Sequence, residues 1–244
     1  MTEQNQTKTN KIEQFDVAII GGGINGAVAA AALSAAGQKV LLVEKDDFAA
    51  FTSQESSSLV WGGIKYLQTY EFLLVFKLCL ARNRLMRAYP NQIKQIGFLA
   101  SLGENAPFGR FLGTFGTLFY WAIGLFGTKA PASYSAKVAK ELEPNLITGR
   151  KAVKYYDAEL PDNDSRFVFD FIRNAERLGA EVRNYTELVG ANFDGEWQLD
   201  LRAGRKKTQV RASSVVNATG PYAKSVSEML EAPTEAGLVF SKGI

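Results

Sequence analysis

The residues of this chain best placed to do chemistry are three glycines and one acid. Gly21, Gly23 and Gly26 stand at G-x-G-x-x-G spacing, and Glu44 follows 18 residues after Gly26. Glycine permits a tight turn at the first position and a close backbone approach to a pyrophosphate at the second. At the third it lets a helix lie near the preceding strand. A carboxylate at the end of the following strand accepts the hydroxyls of a ribose, and an acid there favours FAD or NAD over NADP. The surrounding sequence supplies the elements that must hold these groups. Phe15–Ile20 is an apolar run suited to a buried parallel strand, an Ala-rich helix starts at the glycines, and Lys39–Val43 forms a second strand. The helix N-terminus adds backbone N–H groups and a positive dipole end for an anion.

Composition narrows the remaining choices. At 244 residues, 46% hydrophobic and 22% charged, the chain has the make-up of a globular protein with one large or two small domains. A net charge of +3, with no basic run interleaved with aromatics, gives no nucleic-acid signature. The single cysteine, Cys79, leaves no internal disulfide framework, fits a reducing compartment and reads as packing within an apolar helical stretch. With no histidine there is no Ser–His–Asp triad and no histidine base or metal ligand, and no metal site is expected. Residues 1–14 are polar and read as a disordered tail, neither signal peptide nor anchor. Phe111–Thr128 is uncharged and 18 residues long, the lower limit for a membrane span; its four glycines favour a buried or interfacial helix instead.

The order of elements alternates, breaks and resumes. Asp46–Ser58 is a loop of small polar residues. Ile64–Ala88 is predicted as one long helix, with Leu74, Leu78, Ala81 and Leu85 on its apolar face and Lys77, Arg82, Arg84 and Arg87 in solvent. Pro90 ends it, and residues 91–150 read as mostly helical, with turns at Pro107, Pro131 and Pro144. Lys154–Tyr156 is a short strand. Asp162 or Asp164 caps a helix whose apolar side is Phe167, Val168, Phe171, Ile172 and Ala175, closed by Gly179. Glu181–Leu188 is a strand, followed by a β-meander turning at Asp194-Gly195 and Ala203-Gly204. A last strand, Ser214–Asn217, runs into Ala218-Thr219-Gly220-Pro221. The expected fold is α/β: a Rossmann-like FAD/NAD(P)-binding domain with a helical insertion and a β-meander. Its parts are 15–70 and 151–228, interrupted by the insertion at 71–150, with 229–244 starting a truncated substrate domain.

Three segments carry a resemblance to a known family. They are the G-x-G-x-x-G unit with VEKDDFA after it, TSQESSSLVWGGIKYLQTYEF, and YYDAELPDNDSRFVFDFIRNAERLGAEV leading to VVNATGPYA. Together they resemble the FAD-dependent glycerol-3-phosphate dehydrogenases of the D-amino-acid-oxidase-like flavoprotein superfamily, from about Phe15 to the last residue. The resemblance implies an oxidoreductase that binds FAD through Gly21, Gly23, Asn25, Gly26, Glu44, Lys45, Thr52, Ser53, Ser57, Leu59, Gly62, Gly63, Leu188, Thr219 and Gly220. It implies hydride transfer from glycerol 3-phosphate to the flavin, giving dihydroxyacetone phosphate, with electrons passing to a quinone. The implied setting is cytoplasmic or peripheral on the inner face of the cell membrane.

The chain departs from the family pattern at several positions. Trp61 stands where the family has His, and Lys65, the one candidate for the catalytic site, stands where it has Arg. Lysine keeps the charge for a phosphate but loses the bidentate fork. Gln54, Glu55 and Ser58 also differ. These changes leave open another oxidase of the superfamily, acting on an amine or hydroxy acid, or a non-catalytic FAD-binding fragment. Because the substrate-binding sheet would start near Val239–Ile244, the 244-residue chain alone is expected to be inactive toward glycerol 3-phosphate.

Overall fold

A computed structural model describes residues 12–102, 109–147 and 149–232. Most of the N-terminal tail, the turn at Pro107 and the stretch from 233 onward lie outside the described residues.

In chain order the elements are β1 (Glu13–Ile20), α1 (Ile24–Ala35), β2 (Val40–Val43), β3 (Leu59–Val60), α2 (Phe72–Ala88), β4 (Lys94–Leu102), α3 (Arg110–Ile123), β5 (Ala132–Tyr134), α4 (Ala136–Leu142), β6 (Lys151–Glu159), α5 (Asp164–Arg177), β7 (Glu181–Arg183), β8 (Glu187–Phe193), β9 (Trp197–Ala203), β10 (Lys206–Asn217) and α6 (Ala223–Met229). They divide into two compact units. One comprises the chain up to Ser56 and from Asp164 onward; the other is Ser57–Asn163. The boundaries therefore fall at 56/57 and 163/164, not at 70/71 and 150/151. In the first unit the Ser56 hydroxyl donates to the Asp164 carboxylate, tying together the points where the chain leaves and returns.

The first unit is built on a six-stranded sheet in the order β7-β2-β1-β10-β9-β8. β1 is parallel to β2 and to β10, and β2 is parallel to β7. The strand pattern explains why: Val40 and Leu42 enter one apolar cluster while Leu41 and Val43 enter another, so both faces of β2 are covered, as parallel sheets require. On one face α1 and α5 pack through Ala27, Ala30, Ala31, Val168, Ile172 and Ala175. The other face is closed by Leu188, Leu199, Leu201, Val210 and Leu230. β10 is twelve residues long, running antiparallel to β9 and then parallel to β1, where a strand of only Ser214–Asn217 was expected. The expected single strand Glu181–Leu188 is two, broken at Asn184–Thr186, where Tyr185 has φ 48°.

The second unit is not the helical insertion that the sequence suggests. It holds a sheet in the order β3-β6-β4, with β5 also on β6. β4 pairs with β6 over nine residues, Lys94 with Glu159 through to Leu102 with Lys151. KQIGFLASL shows no strict alternation because most of its residues are half-buried on both faces, which removes the period-2 signal. β6, expected as a short strand of the cofactor domain, is the centre of this separate sheet. The predicted long helix also begins later: a 3-10 turn at Ile64–Leu67 and a left-handed Tyr70 (φ 60°) precede α2. Its buried face is Val75, Cys79, Arg82 and Asn83, and Leu74 and Ala81 are exposed. Arg82, expected in solvent, is 2% exposed, because Asp157 neutralises it from β6. Among the described residues no helix is long and apolar enough to cross a membrane.

Candidate functional site

The first unit brings its two parallel strand ends, the start of α1 and the end of β10 to one place. The Gly21 N–H donates to the Val43 carbonyl at 2.8 Å, and the Ala218 N–H donates to the Ile20 carbonyl at 2.8 Å. The turn after β1 is thereby locked between β2 and the segment after β10. Gly21 has φ +110°, and a Cβ there would meet the Ala218 carbonyl oxygen at 2.6 Å. Gly26 lies behind the turn, where a Cβ would fall 1.9 Å from the Gly21 oxygen. Only glycine lets α1 start this close to the strand that feeds it.

Glu44, at the end of β2, is held by the same turn. Its carboxylate accepts the Gly22 N–H at 2.7 Å through one oxygen and the Asp46 N–H at 2.9 Å through the other. Each carboxylate oxygen has a second lone pair for a further donor, such as a ribose hydroxyl. At the start of α1 the Ser53 hydroxyl accepts the Ile24 N–H at 3.0 Å. This is a cap supplied from a distant 3-10 turn, since the local N-cap, Gly23, has no side chain. A hydroxyl in that position also donates, and it sits at the anion-attracting end of the helix. On the opposite side Asn217 accepts the Thr219 hydroxyl at 2.6 Å and donates to the Ala223 carbonyl at 2.8 Å, fixing the Ala-Thr-Gly turn.

These groups surround a cavity of about 490 Å³, within the range of small-molecule sites. Of the residues named from sequence, Gly21, Gly23, Asn25, Glu44, Lys45, Thr52, Ser53, Leu188, Thr219 and Gly220 line it together. Gly26 supports the cavity from behind. Ser57, Leu59, Gly62, Gly63 and Lys65 are not among the lining residues; they belong to the second unit. There Lys65 is exposed at the 3-10 turn, its ammonium 5.8 Å from the Trp61 ring, while Gly62 and Gly63 are buried. Sequence reasoning missed Phe51, Thr186, Glu187, Tyr222, Ser225, Val226 and Met229 as lining residues. Tyr222 could have been found from its place just after Gly220-Pro221. Lys45 stands 3.6 Å from the Tyr222 ring and 5.1 Å from Phe51, which meets Tyr222 edge-on at 5.7 Å. Three side chains from separate segments therefore form a cation–aromatic wall at the cavity.

A parallel β-α-β unit with a glycine turn, an anion-attracting helix end and a strand-end carboxylate defines a Rossmann-like dinucleotide-binding protein. The profile of the FAD dependent oxidoreductases (DAO) matches residues 16–243, and the chain belongs to that family. It is 33% identical to a glycerol-3-phosphate dehydrogenase of Pseudomonas tolaasii over 95% of this chain and 45% of that one. It is 31% identical to the aerobic glycerol-3-phosphate dehydrogenase of Bacillus subtilis (strain 168), over 94% of this chain and 42% of the relative. The chain thus spans less than half the length of these curated relatives. Among solved structures, the glycerol-3-phosphate dehydrogenase of Bacillus halodurans complexed with FAD superposes with a TM-score of 0.64 at 22% identity, over 88% of this chain and 36% of that one. Glycine oxidase from Geobacillus kaustophilus gives 0.67 at 18%, over 90% and 59%. Both show that the fold is shared.

Proposed function

We propose that this chain binds FAD and forms the cofactor-holding part of a FAD-dependent dehydrogenase acting on glycerol 3-phosphate. The observation that carries the reading is the convergence of Gly21, Gly23, Glu44, Ser53 and Thr219 on one cavity at the N-terminus of α1. In this reading the turn amides and the helix dipole hold the pyrophosphate, and Glu44 accepts the ribose hydroxyls. Lys45, Phe51 and Tyr222 flank the adenosine end. The residues fit the group, since a Cβ at Gly21 or Gly26 would collide with backbone. When bound, FAD supplies the two-electron acceptor for a hydride leaving C2 of the substrate, so that glycerol 3-phosphate gives dihydroxyacetone phosphate. Lys65 contributes a positive charge for the substrate phosphate, as a point charge and not a fork.

Purified protein should carry flavin absorbance, and Gly23→Val or Glu44→Ala should each weaken FAD binding at least tenfold. Tight NAD binding without flavin would overturn the reading. A second reading, an oxidase of the same superfamily acting on an amine or hydroxy acid, is favoured by Trp61, which can neither accept a proton nor titrate near neutrality. Anaerobic mixing of the flavin-loaded protein with glycerol 3-phosphate or with glycine separates the two by which of them bleaches the flavin; bleaching by neither is the outcome expected of a non-catalytic FAD-binding part.

A quinone is the proposed electron acceptor, reached at the inner face of the cell membrane from the cytoplasmic side. Support comes from α3, where Phe111, Leu112, Phe115 and Phe119 are exposed, Phe111 at 92%. An exposed apolar helix face of this kind suits a lipid surface rather than a span. Vesicles containing anionic phospholipid should co-sediment with the protein and release Phe111→Glu/Phe115→Glu. Equal sedimentation of both would remove the membrane from the proposal.

A further inference from the structure

In the second unit, a buried cluster of four side chains surrounds a single residue, Gly62. Asp157 on β6 is fully buried, and its carboxylate accepts three donors. These are the Arg82 guanidinium at 2.6 Å, the Tyr120 hydroxyl at 2.9 Å and the Gly62 N–H at 3.0 Å. The Cys79 thiol donates to the Gly62 carbonyl at 3.6 Å. Both polar groups of Gly62 are therefore taken by side chains from α2 and β6. Its Cα is enclosed as well: a Cβ there would lie 2.1 Å from the Tyr120 hydroxyl and 2.8 Å from Arg82 and Cys79. The next residue, Gly63, has φ +82°, and a Cβ there would meet Leu78 at 2.8 Å. The rest of the guanidinium is fixed by Asn83, whose amide oxygen accepts it at 3.1 and 3.2 Å and whose nitrogen donates to the Gly124 carbonyl at 2.8 Å.

Stability alone does not account for such an arrangement. A buried ion pair gives back in attraction about what it loses in desolvation, and apolar residues of the same volume often stabilise as well or better. What an apolar replacement cannot do is hold a backbone N–H and C=O at fixed positions. We propose that Asp157, oriented by Arg82 and Tyr120 and joined by Cys79, is the positioning residue of the Trp61–Lys65 turn. It fixes where the Lys65 ammonium and the Gly62–Gly63 backbone stand. The role assigned to that turn rests on the proposed function; the clamp itself does not.

Hydrogen exchange in the full chain tests the clamp, because a merely structural cluster would change exchange throughout the unit. In Arg82→Met/Asp157→Leu the Gly62 N–H and the Tyr120 hydroxyl lose their acceptor, so the melting temperature should fall while the unit stays folded. Exchange of the Gly62 amide, read by mass spectrometry with fragmentation across residues 59–67, should rise at least tenfold while that of β4 does not. An unchanged Gly62 amide, or a rise spread evenly over the unit, would overturn the inference. If the double variant does not fold, Tyr120→Phe, which removes one of the donors that orient Asp157, carries the test: a smaller rise confined to Gly62 supports the clamp, and an unchanged Gly62 amide or an even rise overturns it. FAD titration of the same proteins keeps the readings apart. A wild type that binds no FAD yet protects Gly62 counts against the functional reading alone. With FAD bound, the affinity for glycerol 3-phosphate, read from the flavin spectrum, should fall at least tenfold in the double variant. An equal affinity there overturns the positioning role.

Discussion

A methyl group at Gly26 would stand 1.9 Å from a backbone oxygen, and no rotamer change relieves such a contact. Gly26→Ala should therefore destabilise the first unit by about 1–3 kcal/mol, the usual range for forced overpacking. At Gly116, inside α3, an added methyl group would meet nothing within 4 Å, so Gly116→Ala should stabilise by about 0.5–1 kcal/mol through helix propensity. Urea unfolding of both variants checks the contrast. The buried cluster also sets a pH dependence. Burial pushes the Cys79 thiol above its ordinary value of 9.0, and burial and Asp157 push the Tyr120 phenol above 10.0. The folded chain thus keeps protons that the unfolded chain gives up. The stability these two groups contribute is whole below pH 9 and falls as pH rises through 9 and 10, each contributing a slope of about 1.4 kcal/mol per pH unit until its folded value is reached. Unfolding followed from pH 8 to 11 should show this decline, shallower in Cys79→Ala. Residues such as Gly21, Gly26 and Glu44 were legible because their reasons are local, all within one β-α-β unit. Arg82 was not, since the acid that buries it lies 75 residues away.

At the scale of elements, α2 shows why an apolar stripe misleads. Its leucines suggest a face through Leu74, Leu78, Ala81 and Leu85, but the helix turns Val75 and Cys79 inward because Arg82 and Asn83, one and two turns on, have polar partners there. Val75→Ala should cost roughly 2 kcal/mol as a core truncation, and Leu74→Ala under about 0.5 kcal/mol as a surface change. Thermal unfolding of the pair tests the assignment; the reverse order would restore the leucine face. By contrast α5 and the β8–β10 meander could be read directly. Phe167, Val168, Ile172 and Ala175 keep helical spacing toward the core, and Asp194-Gly195 and Ala203-Gly204 mark tight turns between alternating strands. β4 and β6 lacked both signals: half-buried residues blur the period, and the register that defines them comes from pairing about 60 residues apart.

For the molecule as a whole, two units with separate cores should respond separately to a ligand. FAD held only by the cavity of the first unit stabilises that unit's native state, by about 2.7 kcal/mol at a concentration one hundred times its Kd. Hydrogen exchange with and without FAD should therefore slow in β1, β2 and β10 by a larger factor than in β4 and β6. Uniform slowing across both sheets would show that the site extends further than the cavity described. The two-part division at 56/57 and 163/164 was not legible, because Ser57–Asn163 has no composition break at either end and its sheet is assembled from strands that look helical or incidental in isolation.

β10 makes the completion of the first sheet wait on the ribosome. Glu13 pairs with Val210 and Ile20 with Asn217, about 200 residues later. At a synthesis rate of about 5–20 residues per second, β1 spends on the order of 10–40 seconds with one edge unpaired while the whole second unit is made. During that interval an apolar strand edge is open to neighbouring chains. Nascent chains arrested before residue 206 should therefore associate with a holding chaperone or aggregate, whereas chains released after residue 217 should not.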